Sequence, residues 1–479
     1  MVHLATLLAG IPEAPAADAG EVARRPPADR RVLLVLDDDP TGTQSVSDVP
    51  VLLRWDRAYL QWALRYGSAA VYVLTNTRSM TESEAVRINR DVAHEALSAA
   101  AEVGVELDLV SRSDSTLRGH FPAEPVALAD ELAAYTGAAV DGIVVVPAFP
   151  EAGRVTIGGV HYAGTAAAGF RPVGETEFAH DASFGYTASD LRDWVQEKSR
   201  GAMPATGVAH LGLSTLRTDH DQSVSVLRAL RHRQPAVCDI AAPADLLALA
   251  RAIRDAQATG SRFVFRVGPS FVRAMMGQSP GPPLTSPQIY GNAKCRTRAT
   301  RGGLIVVGSH VSLTTRQLDR LMAEGDTATV ELDVPALLGA ERGDVCARLV
   351  EPVVTGLQAR NVVLSTTREL VRSEDPHVSL RIARQVSAAL VEVVRSVVAV
   401  ARPRFVLAKG GITASDVAAH GLGISRAVAR GTMLPGLVSL WEPVDGPATA
   451  MPFVVFPGNV GDDAALAAVV HVLSSARES

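Results

Sequence analysis

The sequence predicts an α/β protein made of two α/β domains with mostly parallel sheets. Short apolar runs of strand length alternate with helix-length stretches, which is typical of strand–helix–strand units with parallel strands. The chain has 479 residues, more than one hydrophobic core normally organises, so more than one domain is expected. The clearest predicted strands are 32–36, 70–74, 107–111, 142–146 and 263–267, followed by 304–307, 327–331, 361–365, 405–408 and 453–456.

The alternation stops between residues 276 and 303, where Pro, Gly, Ser and Thr dominate. Such a composition is typical of a domain boundary. We therefore predict one domain over 31–277, a linker over 278–303 and a second domain over 304–479. Residues 1–30, which are rich in Pro and Ala, are predicted to form a flexible N-terminal lead-in.

Composition and charge narrow the class of protein. The formal net charge of −5 and the pI near 6.2 provide no basic surface for nucleic acid. No uncharged apolar run reaches the ~18 residues of a membrane span. The three cysteines are far apart and form no C-x-x-C pair, so neither a disulfide framework nor a zinc site is predicted. We expect a cytoplasmic protein whose ligands are small molecules.

Three consecutive aspartates, Asp37, Asp38 and Asp39, follow the first predicted strand and precede the turn residues of 40–42. The carboxyl ends of strands are where open α/β sheets bind ligands. Adjacent like charges repel one another, so they need cations, a metal or protonation unless solvent surrounds them all. The alternative is a solvated turn. We favour a functional site here.

Polar loops also follow the second and third predicted strands. The loop TNTRS contains one arginine, and the loop SRSDSTLRGH combines arginines, an acid and hydroxyl groups. Guanidinium groups suit carboxylates or phosphates, whereas aspartate and hydroxyl groups suit sugar hydroxyls. These loops therefore predict a pocket for a small polyhydroxylated anion, for which a sugar acid fits best. The residues concerned are Arg78, Arg112, Asp114, Ser115, Thr116 and Arg118, with lower weight on Glu151, Arg154, His161, His180 and Asp181.

The second half contains three turns in which glycine connects a predicted strand to a helix. Backbone N–H groups at such turns can bind phosphate, although each turn alone is a weak signal because glycine is common there for geometry. Together they predict a nucleotide site. No G-x-x-x-x-G-K-[ST] sequence occurs, so this is not a P-loop kinase. The residues concerned are Gly308, Ser309, Gly410, Gly411, Ile412, Thr413, Gly458, Asn459 and Gly461.

One alternative is a phosphatase. Asp37-x-Asp39-x-Thr41 resembles the first motif of the haloacid dehalogenase-like phosphatases, in which the first Asp is the nucleophile and the second the acid/base. That reading explains neither the DSTLRG loop nor the glycine turns. It also separates the last motif from the second by more than 380 residues. We therefore rank it below a kinase.

A second resemblance covers nearly the whole chain. The motifs DD-x-TG at 38–42, TNTRS at 75–79, DSTLRG at 114–119, KGG-x-T at 409–413 and PGN-x-G at 457–461 occur in this order. This set resembles the four-carbon acid sugar kinase family. The resemblance implies an N-terminal domain that binds a sugar acid and a C-terminal domain that binds ATP, with Mg²⁺ as cofactor and the active site in an inter-domain cleft. It implies phosphorylation of a tetronate or a 3-oxo-tetronate at its terminal hydroxyl.

The resemblance also implies roles for individual residues. Asp38 and Asp39 would be catalytic, and the polar loops of the first half would bind the substrate. The glycine turns from Ser309 to Gly461 would bind the nucleotide. We assign no metal ligands. The implied partners are a sugar acid and ATP, without nucleic acid or membrane, and a homodimer is one possible assembly. A non-catalytic sugar-acid sensor is a further alternative.

Overall fold

The computed structural model describes residues 1–16, 18–24, 30–291, 299–339, 342–368 and 376–475. The chain divides into two units, Met1–Pro280 and Gly281–Ser479. Two predicted segments lie partly outside the described residues, namely the lead-in at 17 and 25–29 and the linker at 292–298.

The first unit is built on a parallel sheet. Its strands, including those of a small second sheet, are β1 (Arg31–Asp37), β2 (Val49–Leu52), β3 (Ala70–Leu74), β4 (Glu106–Arg112), β5 (Gly142–Val146), β6 (Arg154–Ile157), β7 (Val160–Thr165), β8 (Gly169–Pro172), β9 (Ala209–Leu211), β10 (Gln234–Cys238) and β11 (Phe263–Val267). The large sheet has the order β2-β3-β1-β4-β11-β5-β10-β9, and each neighbouring pair is parallel. The predicted α/β class is confirmed. The central strands are buried on both faces, which explains their continuous apolar runs.

Helices cover this sheet, and their ends follow from sequence signals. Thr81 caps the longest of them through a capping box with Glu84, and Gly104 ends it in the left-handed conformation. The helices are α1 (Leu4–Leu7), α2 (Ala19–Ala23), α3 (Arg57–Arg65), α4 (Glu82–Val103), α5 (Ala123–Thr136), α6 (Leu191–Lys198), α7 (Leu213–Thr218), α8 (His220–Arg228), α9 (Pro243–Ala258) and α10 (Pro269–Met275).

The antiparallel sheet β6-β7-β8 is inserted between β5 and β9 and was not among the predicted strands. The N-terminal residues join it, because Val2 exchanges backbone hydrogen bonds of 2.7 and 2.8 Å with Phe170 of β8. Leu4 and Leu7 pack against the apolar cluster that contains Phe170. The described part of the predicted lead-in therefore contacts the first unit through backbone and apolar side chains.

The second unit has its own sheet and helices. Its elements are α11 (Ser286–Tyr290), β12 (Leu304–Val307), α12 (Ser312–Ala323), β13 (Thr327–Leu332), α13 (Val334–Leu338), α14 (Arg342–Ala359), β14 (Asn361–Thr366), α15 (Pro376–Val400), β15 (Val406–Lys409), α16 (Gly411–Asp416), β16 (Arg426–Leu434), β17 (Val438–Pro443), β18 (Phe453–Phe456) and α17 (Ala465–Ser474). The order β13-β14-β12-β15-β18 is parallel throughout, and β17 and β16 extend it in antiparallel fashion. The antiparallel strands β16 and β17 were not predicted.

Both units contain a point where the strand order reverses. In the first unit β1 lies between β3 and β4, and in the second unit β12 lies between β14 and β15. The loops at the carboxyl ends of such strands diverge and leave a crevice in which α/β proteins bind ligands. Among the described residues, no helix is both long enough and apolar enough to cross a membrane.

Candidate active site

The three consecutive aspartates lie at the carboxyl end of β1, at the point where the strand order reverses. Asp37 is in register with Leu74 of β3 and with Arg112 of β4. Arg78 follows β3 and the DSTLRG loop follows β4, so the polar loops after all three strands meet at this edge. The structure therefore brings together the residues that the sequence predicts for the first half.

Two arginines form ion pairs with the aspartates at the end of β1. Arg78 binds Asp38 through two nitrogens, with Nε 3.1 Å from Oδ2 and Nη2 2.5 Å from Oδ1. Its Nη1 lies 3.5 Å from Oδ2 of Asp39. Arg112, which is fully buried, donates to the carboxylate of Asp37 and to the backbone carbonyl of Asp39. Paired N–H donors of this kind fix the orientation of a carboxylate as well as its charge.

Asp37 and Asp39 differ in proton affinity, and Asp39 is more exposed than the other two aspartates. Burial raises the pKa of Asp37 to about 7; Arg112 offsets part of this effect, and the charges of Asp38 and Asp39 add to it. Burial would also raise the pKa of Asp39, but Arg78 and Arg112 outweigh it and lower the pKa below its ordinary value. The side chain of Asp39 is 17% exposed, against 2% for Asp38. Asp39 is thus ionised and reachable from solvent.

Asp114 is the anionic centre of the loop that follows β4. Its carboxylate accepts hydrogen bonds from Oγ1 of Thr116 and from Nε of Arg118, the latter at 2.6 Å. Burial opposes ionisation, but Arg78 and Arg118 hold the pKa of Asp114 well below its usual range. Asp114 is therefore a fixed negative charge and a hydrogen-bond acceptor.

Side chains behind this loop hold its backbone in place. Arg266 of β11 donates to the carbonyls of Asp114 and Arg118, at 3.3 and 3.1 Å. His161 of β7 bonds through Nε2 to the carbonyl of Ser115 at 2.8 Å. Burial lowers the pKa of His161 to about 4, so His161 is neutral near pH 7 and supports the loop. Arg266 was not singled out from the sequence.

Three further residues that the sequence analysis considered with lower weight, Glu151, Asp181 and His180, have separate surroundings. Glu151 accepts a hydrogen bond of 2.7 Å from Ser270 of α10, which gives it a structural role. Asp181 lies 3.7 Å from Nη1 of Arg118 and so borders the pocket. His180 is exposed.

Glu124, on the first turn of α5, is a buried acid that sequence analysis did not identify. Its Oε1 accepts hydrogen bonds from Oγ1 of Thr77 at 2.6 Å and from Nδ2 of Asn89 at 3.3 Å. Burial raises the pKa of Glu124 to about 7, and the negative charge of Asp38 adds to this effect. Because Thr77 precedes Arg78, Glu124 fixes the loop that presents Arg78 to the aspartates. The available signal was a single acid in an otherwise apolar stretch.

The glycine turns of the second unit also converge. They follow β12, β15 and β18, which are adjacent and parallel. A Cβ added to Gly458 would lie 2.7 Å from Oγ of Ser309, and one added to Gly410 would lie 3.4 Å from Oγ1 of Thr413. Gly410 also has a φ of +115°. The backbone conformation of Gly410 therefore requires glycine, and a side chain at position 458 would fill the space next to the hydroxyl of Ser309.

Residues around the turns fix their backbone. Oγ1 of Thr314, on α12, donates to the carbonyl of Gly458 at 2.9 Å. Nζ of Lys409 donates to the carbonyl of Pro457 at 3.0 Å, and burial lowers the pKa of Lys409 to about 7. Ile412 is 60% exposed.

Within the same turn region, Asn459 and Gly461 are exposed. Among the described residues, no group of three His, Cys, Asp or Glu side chains is arranged to hold a metal ion. Binding of Mg²⁺ therefore stays a prediction.

Comparison with known families gives a match for each unit. The model of the sugar-binding N-terminal domain matches residues 33–275, and the model of the nucleotide-binding C-terminal domain matches residues 304–466. The first match alone covers half of the chain and contains the aspartates of β1, Arg78 and the DSTLRG loop. The second contains the glycine turns.

Individual relatives are more distant. A D-erythronate kinase of Heliobacterium modesticaldum is 29% identical over 277 residues, which are 56% of this chain and 54% of the relative. The chain thus spans about half the length of the curated relative that it matches. Two solved structures cover 91% of this chain and 98% of their own. One, from Salmonella typhimurium, has a TM-score of 0.64 at 19% identity, and the other, from Haemophilus influenzae, has 0.57 at 16%. These likenesses concern the fold alone.

The buried Glu124 generates a prediction about stability and pH. Its pKa is about 7 in the folded protein against an ordinary value of 4.5, so between these values the folded state binds more protons than the unfolded state. The free energy of unfolding should therefore fall as the pH rises through this window. In Glu124→Gln the amide oxygen still accepts from Thr77 but does not titrate. Between about pH 5 and about pH 8, the free energy of unfolding in urea should fall less for Glu124→Gln than for the wild type. The difference between the two falls should reach up to about 3 kcal/mol across the window.

The exposed Glu13 provides the control, since Glu13→Gln should retain the wild-type pH profile. Parallel profiles for the wild type and Glu124→Gln would contradict the assignment of this titration to Glu124.

Proposed function

Because this chain belongs to the four-carbon acid sugar kinase family, we propose that it is an ATP-dependent kinase that phosphorylates the terminal hydroxyl of a tetronate or a 3-oxo-tetronate. The observation that carries the proposal is the set of aspartates at the end of β1, oriented by Arg78 and Arg112 within the sugar-binding unit. The similarity to a D-erythronate kinase supports the substrate class.

In this proposal the first unit binds and orients the sugar acid. Asp38 and Asp114 accept hydrogen bonds from sugar hydroxyls, because arginines hold both carboxylates in place. Asp39 accepts the proton of the terminal hydroxyl, since it is ionised and the most exposed of the three aspartates. The remaining proposed contacts with the substrate are made by Arg78, Arg112, Ser115, Thr116 and Arg118. Such residues act through position and charge, which is how phosphoryl transfer is catalysed.

In the second unit the proposed nucleotide site is the space between the glycine turns. A side chain at Gly410 or Gly458 would fill that space, which fits a requirement for phosphate to approach the backbone. The hydroxyl groups of Ser309 and Thr413 add donors there, and the other proposed contacts are Gly411, Ile412, Asn459 and Gly461. When bound, Mg²⁺ neutralises charge on the phosphates.

A phosphatase is less compatible with the geometry. It would need Asp37 as the nucleophile, yet the carboxylate of Asp37 is ion-paired with Arg112 and burial raises its pKa to about 7. A nucleophilic carboxylate must be ionised and free to attack the phosphorus atom. A sugar-acid sensor would retain the same pocket, so only turnover distinguishes it from the kinase.

The proposed function is tested by a screen for ADP release over C4 sugar acids, with inorganic phosphate measured in parallel. ADP that forms only when a sugar acid is present supports the kinase. Release of phosphate from phosphosugars without nucleotide would support the phosphatase. Calorimetric binding of a sugar acid without turnover would support the sensor, and either of these results would overturn the proposal.

Asp39→Asn should lower kcat for the sugar acid by about 10²- to 10⁴-fold, because the amide cannot accept the hydroxyl proton. Binding of ATP, measured by calorimetry, should be unchanged, since Asp39 belongs to the sugar-binding unit. The control is Asp91→Asn on the exposed face of α4, which should turn over at the wild-type rate. Turnover of Asp39→Asn close to the wild-type value would remove the proposed role.

Gly458→Ala should raise the KM for ATP by about tenfold or more, because its Cβ would lie 2.7 Å from Oγ of Ser309 and displace that hydroxyl, a proposed phosphate donor. The KM for the sugar acid should stay the same. Gly207→Ala is the matched control, since its Cβ would meet no atom closer than 3.8 Å. An effect confined to the KM for the sugar acid would show that this turn does not serve the nucleotide.

A further inference from the structure

The arginines around the sugar-acid pocket differ in how their charge is compensated. Arg78 and Arg112 are ion-paired with the aspartates that follow β1. Arg118 is ion-paired with Asp114 at 2.6 Å and lies 3.7 Å from Asp181. The positive charge of these three arginines is therefore already balanced by carboxylates of the protein.

Arg154, the first residue of β6, has no such balance. Among the described residues, no Asp or Glu lies within ion-pair distance of it, and its buried Nε has no hydrogen-bond partner. Its Nη1 donates to the carbonyl of Ala152. Burial lowers the pKa of Arg154; the charge of Asp114 offsets part of this effect and that of Arg118 adds to it. Arg154 is thus a partly buried cation beside a second cation.

The position of Arg154 places this charge at the pocket. Its Cζ lies 5.8 Å from the ring centroid of Phe178, and the Cζ of Arg118 lies 5.5 Å from the same centroid. Both guanidinium groups are therefore next to one aromatic ring. The interaction with the ring holds a guanidinium in place but supplies no negative charge.

A buried cation without a counterion costs free energy, which an anionic ligand recovers. Arg266 provides a contrast, because it also has an Nε without a partner among the described residues. Arg266, however, is only 1% exposed, and both its Nη atoms donate to loop carbonyls. The loop already uses the Nη groups of Arg266, whereas Arg154 is partly exposed.

We propose that Arg154 binds the carboxylate of the sugar acid and so determines the preference of the pocket for acids over neutral sugars. This inference rests on the proposed function and makes its substrate contact specific. A guanidinium donates two parallel N–H groups to the two oxygens of a carboxylate. A ligand with a hydroxyl or an amide in place of the carboxylate does not offer this pair of acceptors. Arg154 is a residue for specificity, and the proton acceptor is elsewhere, at Asp39.

The test compares Arg154→Met with the wild type by calorimetry, using a tetronate and the corresponding tetronamide, in which an amide replaces the carboxylate. The variant should bind the tetronate about 10- to 100-fold more weakly. Its affinity for the tetronamide and its KM for ATP should not change. The affinity of Arg154→Lys for the tetronate should lie between those of the wild type and Arg154→Met, because lysine keeps the charge without the planar guanidinium. Arg171→Ala is the matched control, because Arg171 lies on β8 of the same small sheet and pairs with the exposed Glu177.

Equal weakening of both ligands would indicate a structural role and overturn the inference, as would unchanged affinity for the tetronate. Calorimetry keeps this result separate from the proposed function. If the wild type binds tetronate but releases no ADP, the kinase proposal fails while the comparison of Arg154→Met with the wild type still decides the role of Arg154. If the wild type binds the tetronate no better than the tetronamide, the inference fails even where ADP is released.

Discussion

The placement of three consecutive carboxylates at the end of β1, two of them buried, is the constraint on which the sugar-binding unit depends. Moving one uncompensated charge out of water costs several kcal/mol, about as much as a typical domain has in net stability. Arg78 and Arg112 meet this requirement from the two neighbouring strand ends. Gly42 is part of the same solution, since a Cβ there would collide with the carboxylate of Asp37 and with Arg112. The sequence of the turn after β1 is thus dictated by the ion pairs beside it.

The positions of these loops could be predicted from the sequence, but their pairing could not. Apolar runs marked the central strands, and the rule that parallel strands end at one edge placed the polar loops together. Sequence analysis considered Arg78 and Arg112 as ligands of a substrate carboxylate. In the structure they contact Asp38 and Asp37, because the register sets Asp37 directly beside Arg112. Register depends on the whole sheet, and a local motif does not contain it.

Other residues escaped sequence analysis for a related reason. Glu124 and Arg266 lie among apolar neighbours in the chain, and their partners are distant in the sequence: Thr77 for Glu124, and the carbonyls of Asp114 and Arg118 for Arg266. A polar residue in such a stretch could equally be a surface position. The sheet of β6–β8 was also missed, since its short strands contain or adjoin glycines and have no long apolar run. Burial and partner distances are needed to recognise these residues.

The proposed ligand sites of the two units differ in physical character. The first site uses formal charges, where arginines fix the orientation of carboxylates. The second uses the absence of side chains, where Gly410 and Gly458 leave room for close backbone approach. A small sugar acid differs from its isomers by the direction of single hydroxyl groups, which fixed charged acceptors can distinguish. A polyphosphate presents many equivalent oxygens, for which backbone N–H groups at strand–helix turns are suitable donors. Substitutions should therefore change substrate selectivity in the first unit and nucleotide affinity in the second.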